Sequence, residues 1–277
     1  MDMKQRVEYI PVKVAPQKRR FNLLPTILKA IDEKGLSLED GDILVISSKF
    51  IALSEGRIIK LSKVKPSKEA EELAHTLHLP SSLAEVVLRE ADVVFSGVPG
   101  FILTIKEGAL VPNAGIDRSN IHPGYSILYP KEPFQQAERL RKKILLHTGR
   151  KVGVLITDSR LLPTRKGTTG IALAASGFEP VKDERGRRDL FGNIMRVTQR
   201  ALADDISAGA QLLMGETDES IPLVIARNTG IKMKDTPIDR KQLTVAYDEC
   251  VYIRGLSRGR RVEVKRYQST FSNSSSL

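Results

Sequence analysis

Three carboxylates set among small polar residues give the first hint of chemistry. Asp117 lies in "PNAGIDRSN" (112–120), beside Gly115 and Asn120 and just after an apolar run. Glycine lets backbone approach a ligand, asparagine and serine supply neutral donors and acceptors, and a carboxylate in such a loop suits a hard metal ion. The same composition also builds an Asx-turn that caps the next element, and the stretch alone leaves both readings open. Asp158 ends the run "KVGVLITDS" (151–159) and is followed by Ser159. Next comes "RLLPTRKGTTG", with Arg160, Arg165, Lys166 and threonines. Acid, hydroxyl and clustered cations suit a metal–phosphate site, where a metal bridges phosphate oxygens and cations neutralise them. A polar loop capped by Asp158 is the alternative. Glu216 follows Met214 and Gly215 where a helix gives way to a strand, and Gly-Glu there can be a helix end and nothing more. Ser48 and Lys49 close "VISSKF" at a strand's end; such a lysine reaches a phosphate as a point charge or lies along the surface.

Other chemistries lack their signatures. The chain has no G-x-x-x-x-G-K-[ST], no G-x-G-x-x-G after a strand, no H-E-x-x-H and no G-x-S-x-G. His75 and His78 lie three apart on a predicted helix, but a catalytic zinc needs a third protein ligand and none is evident.

The elements that must position these residues follow from period and punctuation. Strands are predicted at 7–14, 42–50, 151–159 and 221–227, where β-branched residues cluster, with further candidates at "VVFSGV" and "FILTIKEGALV". Helices are predicted at 23–35, 67–79, 81–91 with "SS" as N-cap, 134–149 closed by Gly149, and 193–215. Strands and helices mix without a steady βαβ beat, which points to α+β or irregular α/β. No internal repeat of solenoid period occurs. Residues 1–256 read as one catalytic unit, open to division into two subdomains, and 257–277 as a basic, partly disordered tail.

Composition narrows the class. The chain has 277 residues and is 41% apolar, enough for a sizeable core. No stretch approaches the roughly 18 apolar residues of a membrane helix, and the N-terminus has no apolar secretory core, so a cytoplasmic protein with no membrane partner is expected. The lone Cys250 cannot pair within the chain and is expected to be a small buried apolar residue. A net charge of +11 fits either a richly charged surface or anionic, phosphate-bearing ligands. With 5% aromatics, a stacking platform for single-stranded nucleic acid is not expected.

The pieces "DGDILVISSKFIALSEGR" (40–57), "PNAGIDRSN" (112–120), "VLITDSRLLPTRKGTTGIALAASG" (154–177), "DERGRRDLFGNIMRVTQRALAD" (183–204) and "LLMGETDESIPLVIAR" (212–227), in this order, resemble the coenzyme F420-0:L-glutamate ligase family. The resemblance implies an unusual α+β fold of mixed sheets and helices in an intertwined homodimer. It also implies GTP-driven amide formation between L-glutamate and the carboxylate of F420-0, through an acyl phosphate, with Mg²⁺ or Mn²⁺ and also K⁺ as cofactors. Carried over, Asp117 and Asp158 would bind one metal, Ser159 would stand at a threonine ligand's place, and Glu216 would help hold a second metal. Ser48, Lys49 and Asn120 would touch the nucleotide, and the turn with Met214, Gly215 and Thr217 would close over it. From the cation cluster after Asp158, Arg165 and Lys166 are expected to be the catalytic cations. The chain departs from the family pattern at Leu53, where a second lysine is common, and in "RLLPTRKG", where "GRPWR-x-G" is common. A related amide ligase with another carboxylate acceptor, and a non-catalytic nucleotide- or RNA-binding homologue, are the competing readings. Three carboxylates in a nucleic-acid groove count against the last.

Overall fold

A computed structural model describes residues 6–17, 19–246 and 248–258. In chain order the elements are β1 (Glu8–Val12), α1 (Leu23–Glu33), β2 (Ile43–Ser47), α2 (Ser48–Glu55), β3 (Ile58–Lys60), α3 (Lys68–Leu77) and α4 (Ser81–Glu90). Then come β4 (Val93–Val98), β5 (Phe101–Lys106), β6 (Ala109–Pro112), β7 (Tyr125–Ile127), α5 (Pro133–Thr148), β8 (Gly153–Leu161) and β9 (Thr168–Ser176). The chain ends with β10 (Lys182–Asp183), β11 (Gln199–Arg200), α6 (Leu202–Met214), β12 (Leu223–Arg227) and α7 (Val251–Arg258). It divides between Thr244 and Val245 into two units. The mixture of helices and mixed sheets is the α+β class expected.

A five-stranded sheet, ordered β1-β12-β2-β8-β9, organises the first unit; only the β2–β8 pair is parallel. The run "ILVIS" of β2 shows no polar alternation because the sheet is covered on both faces. Leu44 and Ile46 pack with Ile27 and Ile31 of α1 and Leu140 and Ile144 of α5. Ile43 and Val45 pack with Ile206 and Ala210 of α6. Each such fully buried aliphatic side chain contributes about 1.5–3 kcal/mol. A second, smaller core joins α3 and α4 to the β4-β5-β6 sheet through Leu83, Val87, Ile102 and Ala114. Asp158 rides on the large sheet, and Asp117 follows the turn that the small core anchors.

Several elements differ from their sequence-based expectations. The strand expected over 42–50 stops at Ser47, and Ser48 and Lys49 open α2, which Gly56 closes in the left-handed conformation. "FILTIKEGALV" is two strands folded at Glu107–Gly108. Ser81 and Ser82 are the first helical residues of α4, whose N-cap is Pro80. The helix expected over 193–215 begins only at Leu202, because 182–200 form a hairpin arm with cross-strand bonds such as Gly186 N–H to Met195 O (2.9 Å). Its turn is set by Asp189, whose carboxylate accepts the Phe191 and Asn193 amides (2.9 and 2.8 Å). Strand β9 had no separate prediction. Cys250 is half-exposed rather than buried. No helix among the described residues is long and apolar enough to cross a membrane. The tail from 259 lies outside the described residues.

Candidate active-site cleft

Parallel pairing brings the first two functional segments together. Ser47 of β2 is in register with Thr157 of β8, so the next residues, Ser48 and Asp158, are neighbours beyond the paired ends. Ligands gather beyond the carboxyl ends of parallel strands. The Ser48 hydroxyl donates to Asp158 Oδ1 (2.8 Å). Contrary to expectation, Asp158 is not at the strand's end: β8 runs on to Leu161. A bulge in β9 opposite Ile156/Thr157 shifts the register just before Asp158, and bulges re-aim side chains next to sites. The two-residue period puts Asp158 and Arg160 on one face. Arg160 Nε lies 3.6 Å from Asp158 Oδ2. Burial pushes the Asp158 carboxyl above its usual pKa, and the charge of Asp117 adds to this; Arg160, Ser48 and Lys49 oppose the shift without cancelling it.

The stretch 112–120 is both a turn and a carboxylate holder. Asn113, Ala114 and Gly115 are consecutive left-handed residues (φ 51°, 53° and 70°). The Asn113 side chain accepts the Ile102 amide (2.8 Å), and the Ala114 amide donates to Thr104 Oγ1 (2.9 Å). At Gly115 a Cβ would come within 2.6 Å of the Tyr129 ring, so only glycine fits. Asp117 then pairs its backbone with Ile127 (2.9 and 2.8 Å), and its Oδ1 accepts the Ser119 amide (2.7 Å), an Asx-turn. Its Oδ2 meets Lys49 Nζ at 2.6 Å. Burial alone would raise the Asp117 pKa, but the Lys49 charge and hydrogen bond, with the Ser119 donors, bring it below the usual value.

Glu216 occupies the third corner. Its carboxylate accepts from Ser159 Oγ (3.1 Å), Thr168 Oγ1 (2.7 Å) and Gln211 Nε2 (2.9 Å). Gly215 makes the turn with φ 67° and ψ −169°, a region that only glycine visits readily. Asn120 clasps this turn by donating to the Thr217 carbonyl (2.6 Å).

These pieces line one cleft of about 900 Å³. Of the residues singled out from sequence, Lys49, Asn120, Asp117, Asp158, Ser159, Met214, Gly215, Glu216 and Thr217 line it. Ser48 is buried and touches Asp158 from behind. Arg165 and Lys166 are exposed on the 162–167 loop and do not line the cleft. Sequence reasoning missed Arg160 as a buried group, although the period of β8 carries that signal. Gln211 was missed as well; it holds Glu216 and has no motif of its own, whereas Ser119 and Thr168 lie in stretches already marked, without their carboxylate partners. The donor set is all oxygen, which fits a hard divalent cation. Among the described residues no three His, Cys, Asp or Glu side chains form a metal cage. Mg²⁺ takes one or two carboxylates and completes its shell with phosphate oxygens and water, so Asp117 and Asp158, both lining the cleft, are the side chains that would hold it.

Comparison with known proteins identifies the family. The model of the F420-0:Gamma-glutamyl ligase family matches residues 12–228, which include every cleft residue just named. The chain is 38% identical over 226 residues to the coenzyme F420:L-glutamate ligase of Archaeoglobus fulgidus, covering 82% of this chain and 89% of that one. It is 43% identical over 195 residues to the protein of the same name from Methanocaldococcus jannaschii, covering 70% and 78%. Against that of Methanothermobacter thermautotrophicus it is 38% identical over 202 residues, covering 73% and 80%. The chain therefore belongs to the F420-0:gamma-glutamyl ligase family, enzymes that form an amide bond.

Proposed function

We propose that the protein joins L-glutamate to the carboxylate of coenzyme F420-0 in a reaction driven by GTP and assisted by a divalent cation. The observation that carries this reading is the convergence of Asp117 and Asp158, from two separate cores, on one cleft that also holds Lys49, Asn120 and the Glu216 turn. The acceptor carboxylate takes the γ-phosphoryl group and GDP leaves. The amine of glutamate then attacks the acyl phosphate, an amide forms and phosphate departs. A divalent cation, Mg²⁺ or Mn²⁺, held by Asp117 and Asp158 would neutralise charge on the phosphates. The protein's own groups hold the parts in place. Ser48 fixes Asp158, Ser119 fixes Asp117, and Asn120 ties the 117 loop to the 216 turn. Glu216 and Ser159 would hold a second cation, while the exposed Arg165 and Lys166 would attract the polyphosphate. Leu190, Phe191 and Val197 on the arm are exposed apolar side chains, which supports the expected homodimer.

The altered "RLLPTRKG" loop favours a second reading, a nucleotide-dependent amide ligase with another carboxylate acceptor. The test is GDP release on mixing enzyme, GTP, Mn²⁺, L-glutamate and F420-0. Release that needs all components supports the first reading. Release with other carboxylates but not F420-0 supports the second. A thermal shift with RNA and none with GTP plus Mn²⁺ overturns both.

A further inference from the structure

Lys49 is engaged in a way that conflicts with service to a nucleotide. An ammonium group has three N–H donors. Among the described residues, the three acceptors around Lys49 Nζ all come from the 117–119 turn: Asp117 Oδ2 at 2.6 Å, Ser119 Oγ at 2.7 Å and the Ser119 carbonyl at 3.3 Å. A phosphate oxygen therefore finds no free donor on Lys49 in this arrangement. The ammonium also stands where a cation bound to Asp117 would compete for the same oxygen. Its side chain and that of Asp117 remain partly open to the cleft (24% and 37% exposed), so exchange needs no unfolding.

We infer that Lys49 is a resident counter-ion of Asp117, displaced by the incoming divalent cation and thereby released to bind the phosphates. This rests on the proposed cation–nucleotide site and goes beyond it, because it assigns the lysine two positions and makes cation and nucleotide binding mutually reinforcing. Such coupling is reciprocal and is commonly worth about 5- to 150-fold. The ion pair ties Lys49 to the 117–119 turn and sets a threshold on cation binding. On the nucleotide complex the same charge works in favour of binding.

A structural anchor and a displaced counter-ion predict opposite signs. Mn²⁺ binding to the intact protein is measured by the spin-resonance signal of the free ion, first without nucleotide and then with GTP, for wild type, Lys49→Met and Asp158→Asn. Lys49→Gln, which keeps donors for Ser119, is run in parallel, and circular dichroism checks folding of each. The expected result is Mn²⁺ binding without nucleotide tightened by about fivefold or more in the lysine variants, together with GTP binding in Mn²⁺ weakened by a similar factor. Unchanged or weaker binding of Mn²⁺ alone overturns the inference, and if wild-type binding is still lost in Asp158→Asn, the cation site itself stands. Absence of Mn²⁺ binding in wild type and lysine variants alike overturns both the inference and the cation site.

Discussion

Arg141 and Arg160 are both almost wholly buried, 8% and 5% exposed, yet their surroundings are built to different standards. Arg141 of α5 donates through Nε and Nη2 to the two oxygens of Glu138 (2.9 and 3.0 Å), through Nε also to Ser176 Oγ (3.1 Å), and more loosely to Asp235. Glu138 also accepts from the Ser176 hydroxyl. Burial would raise the Glu138 carboxyl, but these donors bring it down to about 2. Arg160 has long contacts only, 3.3 Å to the Tyr129 hydroxyl and 3.5 Å to the Leu110 carbonyl. Its buried Nε has no hydrogen-bond partner among the described residues, and its carboxylate neighbour Asp158 is shifted up rather than down. One network is saturated and stabilises; the other leaves charge under-satisfied beside a cleft. Unpaired buried groups and raised carboxyls are costly, and they gather where a ligand completes them.

The largest expected effect tests that division at Asp158. For the proposed GTP-driven reaction, Asp158→Asn should lower the rate of GDP release by about 100-fold or more, the scale of losing one electrostatic anchor of a reacting group. Its stability should move the other way. The folded pKa of Asp158 lies above its ordinary value, so its favourable contribution is present below the unfolded pKa and is lost as pH rises through the folded one. At pH 7 the asparagine variant should unfold at the same temperature as wild type or higher. A large drop in melting temperature would place Asp158 with Glu138 as a structural group.

Glu138→Gln should behave in reverse. Removing one partner of a largely buried pair costs about 3–5 kcal/mol, and the residual exposure of Glu138 puts the expected loss nearer 2–3 kcal/mol. Urea unfolding measures this, and turnover per folded molecule should be unchanged. The acid limb sharpens the contrast. The folded pKa of Glu138, about 2, is depressed, so its stabilisation is present above the unfolded value and fades as pH falls through the folded one. Glu138→Gln should therefore flatten the loss of stability in acid, while Asp158→Asn should not.

How much was legible follows the same line between saturated and special. The buried strands β2, β8 and β12 and helix α5 announce themselves because both faces of the sheet are covered and Gly149 marks a stop. Asp117, Asp158 and Glu216 could be picked out by residue type beside small polar neighbours. What stayed hidden depended on partners distant in sequence. The Lys49 ammonium is captured by Ser119, seventy residues on, and Glu216 is held by Thr168, forty-eight residues back. The 193–201 stretch has helical spacing, but Ile194 and Val197 are exposed, and the cross-strand bonds of the arm override the local preference. Arg160 reads as a loop cation when the strand is expected to stop at Ser159; the two-residue period puts it on the face of Asp158 once β8 is carried on to Leu161.

The smallest effect concerns Arg165 and Lys166, which their clustering after Asp158 marks as catalytic cations and the structure leaves at the surface. Neither makes an ion pair or side-chain hydrogen bond among the described residues, and Arg165 only closes a turn through its amide to Leu162 O (3.1 Å). Exposed charges of this kind act on approach rather than on the bound state, by raising the local concentration of anions. Each alanine variant should keep its stability within about 0.5 kcal/mol. The rate of GTP association should fall by about three- to tenfold at low salt, and the deficit should shrink once ionic strength brings the Debye length to about 8 Å. A deficit that persists undiminished in salt would mean that the 162–167 loop closes onto the nucleotide, bringing these cations into contact with the phosphates. The divide between structural and functional charge would then have to include a moving loop as well as the under-satisfied Arg160.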